Sequence, residues 1–129
     1  MNENAPASWE TLLELAREEV NAILTELPED LREATQGIGV RFESRPSQEM
    51  IDDGLDADLL GLFVGDAIGA PVEEQGAYPP EIFLFLECLW EFAEGDPDAY
   101  VEEVSVTFLH ELGHALGLDE DGVDERGLQ

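Results

Sequence analysis

Residues 96–117, DPDAYVEEVSVTFLHELGHALG, constrain the fold most, because they predict one long helix with both of its ends marked. Asp96 is a typical N-cap, Pro97 suits the first helical position, and Gly117 favours a left-handed C-cap. At about 100° per residue, five apolar side chains fall on one side of this helix. These are Val101, Val104, Phe108, Leu112 and Ala115. A helix with such an apolar face packs against other elements of a domain.

The opposite face of the same helix carries the chemically reactive side chains. His110, His114, Glu103 and Thr107 fall on it, and these two histidines are the only ones in the chain. Histidines four residues apart on a helix point their imidazole rings in the same direction, one turn apart. One tetrahedral zinc ion can then bind both ring nitrogens at about 2.0–2.1 Å. The spacing therefore predicts a metal site at His110 and His114.

Glu111 lies between the two histidines in the motif HELGH, residues 110–114. It is too close in sequence to His110 to be the natural third ligand, but it can reach a metal-bound water. This is the general-base position of the HExxH metalloproteases. We therefore predict that Glu111 is the catalytic base.

The third metal ligand is expected after the helix, in the acidic sequence that follows Gly117. In the spacing HExxHxxGxxH, the glycine turns the chain back, and the third ligand comes six residues after the second histidine. This offset falls on Glu120, so a carboxylate would stand where metzincins have a third imidazole. Asp119 and Asp121 are neighbouring alternatives. Only 15 residues follow His114, which leaves little room for a ligand on a further packed helix.

The rest of the chain predicts a second long helix and three strands. Apolar residues at helical spacing follow the N-cap Ser8 and end at Pro28. Strands are predicted at 38–44, 59–65 and 81–87, a short helix or irregular connection at 88–95, and turns or loops at 28–37, 45–58 and 66–80. Three consecutive strands between two helices indicate the α+β class, with helices packed on one face of a sheet. The length predicts a single domain, residues 1–129.

The charge of the chain limits its partners. The sequence has 32 acidic and 5 basic residues, no lysine, and a formal net charge of −27 at pH 7. Such a field repels nucleic acid and anionic membranes, and it attracts metal cations and cationic peptides. We therefore expect no nucleic-acid or membrane partner. We expect a peptide or protein substrate, for which a positive charge would be favourable.

Cys88 is the only cysteine, so no disulfide within the chain is possible. It lies in the apolar run IFLFLECLW, which predicts a buried, unreactive thiol. The N-terminal sequence lacks the features of a signal peptide, and no stretch approaches 18 apolar residues. We expect a cytoplasmic protein and make no prediction of its oligomeric state.

Two segments resemble a known family. YPPEIFLF (78–85) and EEVSVTFLHELGHALGLDE (102–120) are similar to motifs of the minimal zincin-like metallopeptidases, a family of small bacterial proteins. The second motif is the specific one. Residues 60–65 and the helix ending in ELP (26–28) also resemble the family, so the likeness extends over roughly residues 9–128.

This resemblance implies a compact zincin-like α+β domain, in which a small mixed sheet packs on an N-terminal helix and on the C-terminal HExxH helix. It implies a zinc metallopeptidase with one zinc ion per chain, held by His110, His114 and an acid near Glu120. Glu111 would take a proton from a zinc-bound water and pass it to the leaving amine. An oxyanion donor is also expected, and the candidates are Tyr78, Tyr100 and Arg126.

The surroundings of the motif have two further predicted roles. A peptide substrate would add a strand at a sheet edge, which either LLGLFVG (59–65) or EIFLFLE (81–87) would supply. Glu103 and Thr107 are candidates for hydrogen bonds that orient the ligand histidines.

The main alternative is a zinc-binding protein with little or no turnover. The acidic cluster after Gly117 could supply a fourth ligand, such as Asp124 beside Glu120, and close the position for water. A second alternative comes from RNA-processing metallohydrolases with a similar histidine spacing. Those have a third histidine and lack the glutamate of HELGH, and this sequence lacks the basic residues of a nucleic-acid groove.

Overall fold

The computed structural model describes residues 8–65 and 80–117. In this part of the chain, five helices and three strands are present. The helices are Trp9–Glu26 (α1), Glu29–Thr35 (α2), Gln48–Asp52 (α3), Leu86–Phe92 (α4) and Pro97–Ala115 (α5), and the strands are Gly39–Glu43 (β1), Gly61–Val64 (β2) and Glu81–Phe85 (β3). None of these five helices is long and apolar enough to cross a membrane.

Both long helices begin at the residues that the sequence predicts. The side chain of Ser8 accepts the backbone N–H three residues on at 3.2 Å, and that of Asp96 accepts the N–H two residues on at 3.0 Å. Gly117 has a φ of 74°, which is the left-handed conformation expected of it, and its N–H donates to the carbonyl of His114. These caps define the length of α5 and the point where the chain turns after HELGH.

Two short helices stand where the sequence predicts a turn and a loop. α2 falls within 28–37 and α3 within 45–58, so both predictions were wrong for these residues. The apolar pattern that identifies a helix is weak here, because Leu31 is the one buried aliphatic residue of α2 and α3 buries none. The third predicted strand also ends early, since Leu86 already belongs to α4. The predicted loop at 66–80 lies outside the described residues except for Pro80.

The three strands form a mixed sheet in the order β1-β3-β2. β1 pairs with β3 in parallel, with Gly39 opposite Glu81, and β2 pairs with β3 in antiparallel, with Gly61 opposite Leu84. This arrangement confirms the predicted α+β fold with a small mixed sheet. One prediction was wrong. The segment EIFLFLE, which contains β3, cannot be the sheet edge that binds a substrate, because β3 is paired on both sides. Among the described strands, β2 is the edge on the side of α5.

α5 connects the sheet to the remaining helices. It packs on β2 and β3 and also contacts α1 and α4. Four residues of its predicted apolar face are at most 1% exposed: Val104, Phe108, Leu112 and Ala115. They join the buried strand residues Ile82 and Leu84 and the buried side chains of α1 in one core. The apolar face of the HExxH helix therefore lies in the core, as the sequence predicts, whereas His110 and His114 on the opposite face are exposed.

Cys88 is buried in α4, as predicted. Its Sγ lies 3.6 Å from the carbonyl oxygen of Ala57, and burial raises the pKa of the thiol. Arg45 contacts the same sulfur and pairs with Glu91. This region ties α4 to the segments after β1 and before β2.

Candidate metal centre

His110 and His114 lie on the exposed face of α5, and their Nε2 atoms are 3.1 Å apart. The two rings are nearly perpendicular, at 84°, with centroids separated by 4.6 Å. Two nitrogens bound to one zinc ion at tetrahedral geometry are separated by about 3.3 Å. The observed separation is within about 0.2 Å of this value, so the spacing of the two nitrogens is compatible with one shared zinc ion.

The predicted third ligand lies beyond the described residues. Within 8–65 and 80–117, no third histidine, cysteine or acidic side chain joins the two histidines in a cluster that could hold a metal. Gly117 is the last described residue, so Glu120 and its alternatives Asp119 and Asp121 are outside that part, as is Asp124. The left-handed turn at Gly117 is the conformation that the HExxHxxGxx spacing requires. The assignment of Glu120 stays a prediction.

Glu111 lines a cleft of about 340 Å³ between α5 and the segment that leads into β2. The cleft is lined by Leu59, Leu60, Gly61, Glu103, Val106, Thr107, His110 and Glu111. Glu111 is half-buried and has no hydrogen-bond partner among the described residues. Its carboxylate therefore shares a cleft with one of the two candidate ligands and is not engaged by any other described residue.

Gly61 allows β2 to approach α5 closely. A Cβ atom at this position would lie 2.5 Å from Cγ2 of Thr107 and 3.5 Å from Cγ of Glu111. The first distance is far below van der Waals contact, so a side chain at residue 61 would push the strand and the helix apart. The absence of a side chain at Gly61 thus places the edge strand directly beside Glu111.

The backbone N–H and C=O groups of Gly61 point away from β3. The N–H of Phe85 donates to the carbonyl of Leu60, so Leu60 directs its hydrogen-bonding groups towards β3. In an antiparallel pair these directions alternate along the strand, so Gly61 and Phe63 direct their N–H and C=O groups outward. This edge of β2 has no partner strand within the described residues. It offers an open edge next to the cleft.

Glu103 and Thr107 were predicted to orient the histidines through hydrogen bonds, and this prediction was wrong. No hydrogen bond between described residues joins either side chain to His110 or His114. Thr107 is 9% exposed, and its methyl group packs at Gly61. Glu103 is half-buried and lines the cleft. The two residues therefore shape the cleft instead of bonding to the candidate ligands.

The prediction of Tyr100 as a candidate oxyanion donor was wrong. It is fully buried, and its hydroxyl donates a hydrogen bond of 2.8 Å to the backbone carbonyl of Leu12 in α1. Burial raises the pKa of this phenol, so it remains a neutral donor inside the core. The other two candidates, Tyr78 and Arg126, lie outside the described residues.

The sequence interpretation missed the apolar part of the cleft. The sequence pattern predicts only a strand at Leu59 and Leu60 and gives Val106 no role in the site, yet all three line the cleft. Val106 is four residues before His110, which places it about 40° from that histidine on the helix. A valine on the face that carries the reactive side chains was the signal that could have identified it.

Comparison with known proteins supports the same interpretation of this helix. The family described as zincin-like metallopeptidase matches residues 35–128, more than two thirds of the chain. This range contains all three strands and α5, hence every described element that forms the cleft. No curated protein shows significant similarity to the chain. From the extent of the family match, we conclude that the chain belongs to the zincin-like metallopeptidase family.

Proposed function

We propose that the protein is a zinc-dependent peptidase in which Glu111 acts as the general base. The observation that supports this most directly is the position of Glu111, which shares one cleft with His110 while the Nε2 atoms of His110 and His114 lie 3.1 Å apart. Membership in the zincin-like metallopeptidase family supports the same reaction class. The substrate is a peptide bond of a peptide or protein.

His110, His114 and Glu120 are the residues that would hold one zinc ion per chain. Imidazole nitrogens and a carboxylate oxygen are a donor set that zinc prefers, and three protein ligands leave one position open. When bound, the ion supplies Lewis acidity, which makes water a stronger acid and a carbonyl carbon a better electrophile.

Glu111 would move the proton in both halves of the reaction. Its carboxylate would accept a proton from the attacking water as the oxygen adds to the carbonyl carbon of the peptide bond. It would then give that proton to the amine nitrogen as the C–N bond breaks, leaving a carboxylic acid and an amine. The half-buried position of Glu111 in the cleft is suited to this transfer, because water and a substrate can reach its oxygens there.

The open edge of β2 is where an extended substrate would bind. Gly61 and Phe63 offer outward N–H and C=O groups, which can pair with a peptide as an additional strand. Because Gly61 lies against the helix at Glu111, a peptide paired at this edge would run past the candidate base.

The test compares metal content and hydrolysis in matched variants. Wild type and Glu111→Gln should each hold about one zinc per chain by mass spectrometry, and His114→Ala should lose it. Hydrolysis of a fluorescently labelled unfolded protein should fall by about 10²–10⁴-fold in Glu111→Gln, as expected for loss of a general base. Glu102→Gln is the control, because Glu102 is an exposed residue of the same helix that does not line the cleft.

Three results would contradict the proposal or part of it. Full hydrolysis by Glu111→Gln would remove Glu111 as base, and a wild-type protein that takes up no zinc would remove the metal site. A wild type that holds zinc but cleaves no peptide would favour the alternative of a zinc-binding protein without turnover.

A further inference from the structure

We infer that the cleft selects peptides with a large apolar side chain beside the cleaved bond and a lysine or arginine two residues away. The inference rests on the proposed peptidase function, because it names the substrate class for the same cleft. It depends on three features of the described residues: an apolar wall, an acidic residue without an ion-pair partner, and the distance between them.

The apolar wall consists of Leu59 and Leu60 on one side and Val106 on the other. Val106 is 46% exposed and lies one helical turn before His110. The cleft volume of about 340 Å³ is near the lower end for ligand pockets, which start at about 300 Å³. A cleft of this size accommodates one large side chain with its backbone. A side chain bound there would bury apolar surface of both partners.

The acidic residue is Glu103, which lines the same cleft. It forms no ion pair with a described residue. None of the described arginines lines the cleft, and a second acidic residue, the exposed Asp58, directly precedes Leu59. With a net charge of −27, the surface attracts a cation and repels an acidic peptide. An ion pair that solvent can still reach adds little affinity, so the half-buried Glu103 would act mainly on specificity and on the association rate.

For a peptide that lies alongside α5, the positions on this helix set the spacing in the substrate. With a rise of 1.5 Å per residue, Val106 lies about 6 Å along the helix from His110, and Glu103 lies about 4.5 Å further on. In an extended peptide, alternate side chains point to the same side and are about 6.6–6.8 Å apart. The long side chain of lysine or arginine spans the difference. The apolar side chain therefore falls nearer to the reactive end, and the basic one two residues beyond it.

The preference can be measured by binding, independently of hydrolysis. The probes are hexapeptides of glycine and alanine with blocked termini and a neutral dye. Each contains one leucine and one lysine two positions apart. One peptide has leucine before lysine, and a second has lysine before leucine. Comparison peptides replace leucine by serine or lysine by glutamate. Fluorescence anisotropy with the full-length protein, free of added metal, gives their affinities. We expect serine to weaken binding by about tenfold or more and glutamate by about fivefold.

Variants of the protein test which residue causes the preference for lysine and which causes the preference for leucine. Glu103→Lys should abolish or reverse the preference for lysine over glutamate, and Val106→Ser should abolish the preference for leucine. Glu102→Lys is the control, because it makes the same change of net charge at an exposed residue outside the cleft. All three residues are at least partly exposed, so these substitutions leave the core intact.

Each outcome decides between the two proposals. Equal binding of all peptides, or an equal loss of the lysine preference in Glu102→Lys and Glu103→Lys, would overturn the inferred subsite. If the protein with zinc then cleaves these peptides without preference, the peptidase function stands and the substrate class fails. Selective binding that depends on Glu103 and Val106, without hydrolysis after zinc is added, would support the binding preference and remove the proposed peptidase function.

Discussion

Replacing Gly61 by alanine should force β2 and α5 apart, because the two elements touch where glycine has no side chain. The new Cβ would lie 2.5 Å from Cγ2 of Thr107 and 3.2 Å from the carbonyl oxygen of Phe83. Ordinary contact begins at 3.4 Å, so the two methyl groups must separate by about 0.9 Å. Thr107 is 9% exposed, so close packing on all sides limits how far its methyl group can move to relieve the contact. The strand or the helix must move.

The expected loss of stability follows from this overpacking. Additional atoms in a well-packed contact cost about 1–3 kcal/mol of the free energy of unfolding. With a urea dependence of about 2 kcal/mol per molar, the unfolding midpoint should fall by about 0.5–1.5 M. Circular dichroism during urea unfolding measures this midpoint. A chelator should be present, because bound metal would add its own stabilisation.

Two variants make the measurement specific to the contact. Gly37→Ala is the control, since a Cβ there meets nothing within 4 Å and the φ of Gly37 is not positive. Its midpoint should be unchanged or slightly higher. Thr107→Ser removes the clashing methyl group and should recover much of the loss when combined with Gly61→Ala. If Gly61→Ala unfolds at the same urea concentration as Gly37→Ala, the steric argument is refuted.

Three further predictions concern the core and the charge. Tyr100→Phe removes the hydrogen bond to Leu12 and should lower the free energy of unfolding by about 1 kcal/mol at pH 7 in urea titrations. Because burial raises the pKa of Tyr100 in the folded protein, the wild type should lose stability as the pH rises above about 10, the pKa in the unfolded chain. Tyr100→Phe should lose less over that range, and an equal loss would contradict the assignment. The thiol of Cys88 should react with a coloured thiol reagent only after denaturant is added, whereas immediate reaction in buffer would show that it is accessible. The net charge of −27 predicts that sodium chloride raises the urea midpoint by screening repulsion, and a midpoint independent of salt would argue against this.

The long elements could be predicted from the sequence because several independent signals agree for each of them. α5 has a cap at Asp96, a left-handed glycine at its end and five turns of apolar spacing. One strand was predicted from alternating apolar residues and two from short apolar runs. The family resemblance implied a small mixed sheet, but the strand order β1-β3-β2 was not predicted. α2 and α3 were missed because they have five or seven residues, too few for a period to be recognised.

The site could be predicted only where one helix defines it. His110, Glu111 and His114 belong to α5, so their mutual placement follows from helical spacing. The contact of Gly61 with Thr107 joins residues that are far apart in the chain, and no local pattern marks it. The prediction that Glu103 and Thr107 bond to the histidines was wrong for the same reason. Their neighbours are set by the packing of β2 on α5, which the sequence of α5 alone does not specify.

The hydrogen bond from Tyr100 to Leu12 joins the HExxH helix to a part of the chain that the family match does not include. The match begins at residue 35, after α1, yet α1 contributes Leu12, Ala16 and Val20 to the core and contacts α5. A protein shortened to residues 35–128 would leave the Tyr100 hydroxyl without its acceptor and one flank of α5 uncovered. The segment that identifies the family is therefore smaller than the segment that folds. Truncations and domain fusions should keep everything from Ser8 onward.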